Sequence, residues 1–391
     1  MRSLPRVCLT VLLLTGMVVG CSADEPAVDP TGSPSTSASA SDAGGRPWPA
    51  IPGERLPQEE GVALRREMDR WAREGFVRGA TAAVVSPRGV WSSATGVDGA
   101  GATLDARSGM ALGEITMTFV AAELLLLAER GKVDLDRPAS TYLDSPLLTN
   151  GATVRQLLGH RSGVRGSWDF DAVKAKPDTR STPEQLLATA KTPSTSPGGE
   201  YRYADENYVL LGLLAAKVGG TDLATLLRRD LWDPLGLGRL ALQDAQVMAP
   251  PLAAPGADES LPASARDHTW VPFRSIVGAL GGAGGAAGDA ESLARWGYAL
   301  YGGLQLHPES VAEMTDFTED GHYGLGTINF ADGYWQNFGM DGVGHVGGMP
   351  GYRSVLAVYP EQHLSIAILV PSTVDAHPFV RQLVTAAKLL G

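Results

Sequence analysis

The sequence predicts an α/β fold in which both ends of the chain contribute to one sheet and a mostly helical subdomain is inserted between them. Three observations predict it: a helix followed by a hairpin near the start, a hairpin followed by a helix at the end, and helical periodicity through most of the residues between. With 391 residues, 44% of them hydrophobic and 19% charged, the chain has apolar material for one large or two ordinary domains. Its two cysteines exclude a disulfide scaffold. A net charge of -11 disfavours a nucleic-acid partner, because binding phosphates requires a basic face. No internal apolar run approaches the roughly 20 residues needed to span a bilayer.

The first element is a leader. Arg2 and Arg6 precede the apolar stretch from Val7 to Gly20, which ends Val18-Val19-Gly20-Cys21. This resembles a bacterial lipoprotein signal peptide over residues 1–20, and the run is too short for a spanning helix. Cleavage would leave a lipidated Cys21 at the N-terminus and would export the protein to the outer face of the cytoplasmic membrane or cell envelope. Cys8 would be lost with the leader, so no thiol would remain for disulfides, metal binding or nucleophilic attack. From Cys21 to residue 50 the chain is rich in Ser, Thr, Pro, Ala, Gly and Asp and lacks the apolar groups to offset its ordering entropy, which predicts a flexible tether.

The globular domain, 51–391, opens with Leu64, Met68 and Trp71 at helical spacing and Gly75 where a C-terminal cap belongs. Ala80–Val85 and Val90–Thr95 are β-rich runs around Ser86-Pro87-Arg88-Gly89, a hairpin signal. Helical patterns follow at Phe119–Arg130, Val154–Leu158, Pro183–Ala190 and Asn207–Val218, the first ended by Gly131 and the last by Gly219-Gly220. The Gly/Ala-rich stretch Ala279–Gly288 leads straight into a helix over Glu291–Tyr301 and reads as a tight ordered loop. Tyr352–Tyr359 and Leu364–Val370 flank a turn at Pro360-Glu361-Gln362, after which Phe379, Leu383 and Ala387 outline a terminal helix.

Five segments carry a family resemblance: Leu112-Gly113-Glu114-Ile115-Thr116-Met117-Thr118-Phe119, Glu129 to Pro138, Val154 to Gly163, Pro197 to Tyr208, and Gly344-His345-Val346-Gly347-Gly348-Met349-Pro350-Gly351-Tyr352. Taken in this order, they resemble the serine β-lactamase and penicillin-binding-protein superfamily, in its branch of D,D-carboxypeptidases, class C β-lactamases and related esterases. The resemblance implies a β-lactamase/transpeptidase-like fold: an antiparallel sheet of about five strands, flanked by terminal helices, with the helical subdomain inserted.

In that family an S-x-x-K motif opens the central helix, and three residues of spacing let the lysine take the serine's proton on one helical face. Here Glu114 stands at the serine position and Met117 at the lysine position. The six lysines are preceded three residues earlier by Glu129, Asp171, Val173, Ala188, Leu214 and Thr385, so S-x-x-K occurs nowhere in the chain, and no G-x-S-x-G elbow replaces it. Losing a nucleophile typically costs roughly a million-fold in turnover. The family's Y-x-N motif reads Tyr203-Ala204-Asp205, which keeps the tyrosine but offers a carboxylate where an amide donor is expected. Its K-T-G or H-x-G motif reads His345-Val346-Gly347, with the glycine expected to let ligand backbone approach the strand. His160 reads as a satisfied histidine in a structural turn, and the seven histidines show no H-x-x-x-H or H-E-x-x-H spacing for a metal.

The expectation is therefore a surface lipoprotein with this family's fold but without serine catalysis, needing no cofactor or metal. Its cleft, lined by Glu114, Tyr203, Asp205, His345 and Gly347, is expected to bind a cell-wall peptide or a related small amide. Two other readings stand beside it: a hydrolase that uses a different nucleophile or a Glu114-activated water, and a membrane-anchored scaffold for a protein partner that makes no use of the cleft.

Overall fold

The computed structural model describes residues 47–74, 77–190, 196–243, 252–257, 273–317, 321–332 and 342–374, together with 376, 379, 381, 383, 385 and 386. The leader, Cys21 with the tether up to residue 46, the expected cap Gly75 and the last helical position Ala387 lie outside them.

Helix α1 (Gln58–Glu74) buries Leu64, Met68 and Trp71, the stripe that its periodicity marks. Strands β1 (Gly79–Ser86) and β2 (Gly89–Gly96) form the first hairpin, with Ser86 opposite Gly89. The insert then runs through β3 (Met110–Ala111), α2 (Thr116–Glu129), α3 (Val154–Leu158), α4 (Phe170–Lys174), α5 (Pro183–Thr189), α6 (Asp205–Gly219), α7 (Leu223–Leu227), β4 (Ala241–Leu242), α8 (Arg274–Leu280) and β5 (Ala286–Gly288). Helix α2 is buried on nearly every side, as its continuous apolar sequence requires of a central helix. Capping boxes start α3 (Thr153 with Gln156) and α5 (Thr182 with Gln185), and left-handed Gly220 stops α6. The chain returns through α9 (Ala290–Tyr301), α10 (Pro308–Met314), β6 (Ile328–Asn329), β7 (Val343–Met349), β8 (Tyr352–Tyr359) and β9 (Leu364–Val370).

The main sheet has the order β2-β1-β9-β8-β7-β6 and is antiparallel throughout. Among the described residues five strands are long, as expected, and the sixth, β6, pairs with β7 through Ile328 and Asn329. Alternation along β9 assigns the two faces. Ile366, Ile368 and Val370 join Ala80, Ala82 and Val84 in a core with Leu64, Met68, Trp71, Phe379 and Leu383. Phe379, Arg381, Leu383, Thr385 and Ala386 are helical, and the Phe379 ring stacks on Trp71 with centroids 4.3 Å apart. Both terminal helices thus cover one face. The opposite face, with Ala367 and Leu369, packs on α9, which the sequence marks as a helix without indicating its place. Gly297 permits that contact: a Cβ there would lie 2.6 Å from Ser365 Oγ and 2.7 Å from a Leu356 methyl.

The Gly/Ala-rich stretch is ordered but is not a loop. It comprises the end of α8, a 3-10 turn at Gly281–Ala283, and β5, the middle strand of a small β3-β5-β4 sheet. Its small residues serve packing, since a Cβ on Gly282 would lie 2.7 Å from the Tyr208 carbonyl of α6.

Candidate functional site

The site forms where the start of α2, the start of α6, strand β7 and the segment around Tyr323 meet. Glu114 lies in a 3-10 turn, Gly113–Ile115, that leads into α2, and it is half-buried. Glycine chemistry brings this turn against β7. Gly113 has φ +54°, and a Cβ on it would be 2.6 Å from Gly348 N; a Cβ on Gly347 would be 2.0 Å from the Leu112 carbonyl. Ser354 Oγ donates to that carbonyl at 2.8 Å, tying the turn to β8 as well. The contact places the Glu114 carboxylate on the backbone of β7, where Oε2 accepts from Gly348 N–H at 2.6 Å.

Burial, and then the charge of Asp205, raises the Glu114 pKa to about 7; the N–H groups of Gly348 and of Glu114 itself, and the Arg353 cation, oppose that rise. Met117, one turn on, is fully buried, with its sulfur 3.9 Å from the Tyr203 hydroxyl and 3.8 Å from that of Tyr323. The thioether fills space between two tyrosines and supplies no proton acceptor comparable to an amine.

Tyr203 and Asp205 stand at the entry to α6. The Tyr203 hydroxyl donates to Asp205 Oδ1 at 2.9 Å, while Oδ2 accepts from Trp168 Nε1 at 3.2 Å. Burial raises the Asp205 pKa, and these two hydrogen bonds hold the rise down. Tyr203 is 38% exposed and forms the open side of the site, whereas its hydroxyl has a pKa pushed well above the usual value by burial and by Asp205.

His345 lies on β7, as the H-x-G motif places it, and is buried behind Tyr323. It is 2% exposed, and burial lowers its pKa to about 4. Nδ1 lies 2.6 Å from the Val346 carbonyl and must donate to it, so Nε2 accepts from the Tyr323 hydroxyl at 3.0 Å. The histidine therefore reaches the site only through Tyr323. Gly347 also departs from expectation: its missing Cβ admits the chain's own Leu112–Gly113 backbone in place of a ligand's.

His160 is half satisfied. Held at φ +55°, it is neutral, since burial lowers its pKa to about 3; Nδ1 accepts from Ala204 N–H and Asn207 Nδ2, and Nε2 has no hydrogen-bond partner among the described residues. Its ring lies 4.6 Å from that of Tyr203, so the turn does support the site. Sequence reasoning missed Tyr323, Trp168, Gly348 as a donor, and Arg353. The one local signal for Tyr323 is its glycine-rich setting, Gly321-His322-Tyr323-Gly324-Leu325-Gly326, where Gly326 at φ +69° passes so close to α2 that a Cβ would be 2.5 Å from Ala121 Cβ. Among the described residues, no three His, Cys, Asp or Glu side chains converge as metal ligands would.

Among the described residues, a six-stranded antiparallel sheet and a buried central helix define the β-lactamase/transpeptidase type of fold. The chain belongs to the β-lactamase family, whose model, described as Beta-lactamase, matches residues 63–389. Among curated relatives it is 26% identical over 278 residues to unguisins hydrolase ungD of Aspergillus violaceofuscus, covering 65% of this chain and 47% of that protein. It is 25% identical over 260 residues to the putative penicillin-binding protein PbpX of Bacillus subtilis, covering 66% and 60%. The chain thus spans about half to three-fifths of these relatives. A D-stereospecific amidohydrolase from Streptomyces sp. superposes with TM-score 0.66 at 25% identity, over 82% of this chain and 97% of that one. D-amino acid amidase from Ochrobactrum anthropi shares the fold with TM-score 0.71 at 21% identity, over 85% and 99%.

Proposed function

We propose that this protein is a non-hydrolytic member of the family that binds a cell-wall peptide or a related small amide, held at the envelope by a lipid on Cys21. One observation carries the reading: at the nucleophile position the Glu114 carboxylate is bound to the Gly348 N–H, and at the base position the Met117 sulfur is packed between two tyrosine hydroxyls. A carbonyl entering the cleft meets neither a nucleophile nor a base, and the donor that would polarise it is already engaged. Binding remains chemically reasonable, because Tyr203 offers an exposed ring and Asp205 an acceptor for an amide N–H. The amidohydrolase and penicillin-binding-protein relatives support peptide-like amides as the ligand class. Calorimetry with a peptide ending in D-alanyl-D-alanine, followed by assay for free D-alanine, tests this. Saturable binding without release is expected, and release at an enzymatic rate would overturn it. Mass analysis of the exported protein for a lipidated Cys21 tests the anchor.

A second reading has its own observation. A carboxyl group with a pKa of about 7 suits a general base at neutral pH, so Glu114 could activate water. It is the weaker reading, because the same carboxylate blocks the donor that would stabilise the resulting oxyanion. Steady ester turnover that disappears in Glu114→Gln would favour it.

A further inference from the structure

Two carboxyl groups meet in the cleft without a counter-ion between them. The partners that the chain gives them are neutral: Gly348 N–H for Glu114, and the Tyr203 hydroxyl and Trp168 Nε1–H for Asp205. Arg353 acts on Glu114 more weakly than Asp205 does, and its Nη1 is held by the Met349 and Tyr352 carbonyls at 3.3 and 2.8 Å. Among the described residues no cation acts on Asp205. Glu206, the next residue of α6, brings a third carboxyl group: Oε1 accepts from the N–H groups of Ser167 and Trp168 at 2.7 and 3.1 Å, while Oε2, in a fully buried side chain, meets no donor among the described residues. One turn on from Glu114 the chain offers the Met117 thioether, which returns no charge. Carboxylates withdrawn from water are costly unless positive charge is brought to them.

The walls indicate which kind of cation fits. Tyr203 keeps an exposed ring on the open side, and Trp168 is half-buried; each donates to one oxygen of Asp205. The His160 ring, 4.6 Å from that of Tyr203, backs the tyrosine and fixes its attitude. Aromatic rings beside carboxylates suit a cation that carries an apolar body, because the ring face attracts the charge while its surface covers the carbon. A bare metal ion lacks ligands here, since no three His, Cys, Asp or Glu side chains converge among the described residues. From this geometry we infer that the cleft recognises an organic ammonium group, held by the Glu114 and Asp205 carboxylates against the Tyr203 ring.

The inference rests on the proposed reading of the cleft as a binding site and adds the charge of what is bound. Of the peptides and small amides considered there, those with a free amine near the bound end are selected over their acylated forms, because an acylated nitrogen has lost the charge that the carboxylates lack. Asp205 becomes the residue that sets this selectivity: an amide at its position would still accept from Tyr203 but would carry no charge.

Calorimetry at pH 8, where Glu114 is ionised, tests the inference with three probes: benzylamine, benzyl alcohol and a D-alanyl-D-alanine peptide whose amines are acetylated. Benzylamine should bind roughly tenfold or more tightly than benzyl alcohol, and its affinity should fall as salt is added. This comparison uses the unaltered protein and needs no variant to fold. Asp205→Asn should remove most of the preference and leave benzyl alcohol as it was. Equal binding of amine and alcohol would overturn the inference, and the proposed function would stand without it if the acetylated peptide binds. A preference for benzylamine with no binding of the acetylated peptide supports the inference and strikes neutral peptides from the proposed function. A preference undiminished in both folded Asp205→Asn and folded Glu114→Gln would overturn the inference, since the ammonium would then sit elsewhere.

Discussion

Glu123, in the middle of α2, offers the sharpest test of the energetics. It is fully buried, with its carboxyl group against that of Asp230. Burial, and then the nearby charge of Asp230, raises its pKa from the usual 4.5 to about 8, while Arg130 and Arg229 act in the opposite direction but are engaged with Asp230 at 3.0 and 2.7 Å. The folded pKa lies above the unfolded one, so the folded state holds a proton that the unfolded state releases. The associated stability is fully present below about 4.5 and is lost as pH rises through about 8. The gap corresponds to roughly 5 kcal/mol in full, of which roughly 3 kcal/mol is already lost at pH 7. Glu123→Met keeps the volume and removes the titration. Urea unfolding of both proteins at pH 5, 6, 7 and 8 should show the variant gaining on the unaltered protein by about 1.4 kcal/mol per pH unit. Because Glu114, Asp205 and Glu206 titrate in both proteins, the difference isolates Glu123. Stabilities that run parallel over this range would refute the reasoning.

Glu114→Ser combined with Met117→Lys restores the family spacing on a frame that still presents the Gly348 N–H. Intact mass after penicillin should show an adduct on the double variant and on neither single one. Gly347→Ala forces a Cβ to within 2.0 Å of the Leu112 carbonyl and should cost about 2 kcal/mol or more, seen as a lowered Tm. Tyr323→Phe leaves buried His345 Nε2 without its donor, at a cost of about 1 to 3 kcal/mol by denaturant titration.

Much of the fold was legible because it rests on local patterns. Both hairpins, α1 and α9 declare themselves through alternation or 3.6-residue periodicity. The small β3-β5-β4 sheet was not legible, because β3 and β4 have two residues each and β5 three, too few to show a period. Glu114, Met117, Tyr203 and Asp205, which the motifs name, lie close together in the structure. His345 lies on β7 as the motif indicates, but spacing does not show that Tyr323 stands over it. The role of Gly347 turned on what faces its missing Cβ, which only packing reveals. Cys21 and the leader lie outside the described residues.

The central claim is that the acyl-enzyme route is closed at Glu114 and Met117. Intact-mass analysis of the folded domain, after incubation with a penicillin and separately with a serine-directed fluorophosphonate, tests it most directly. The account predicts an unshifted mass with both reagents. A stoichiometric adduct, mapped to any residue, would contradict it.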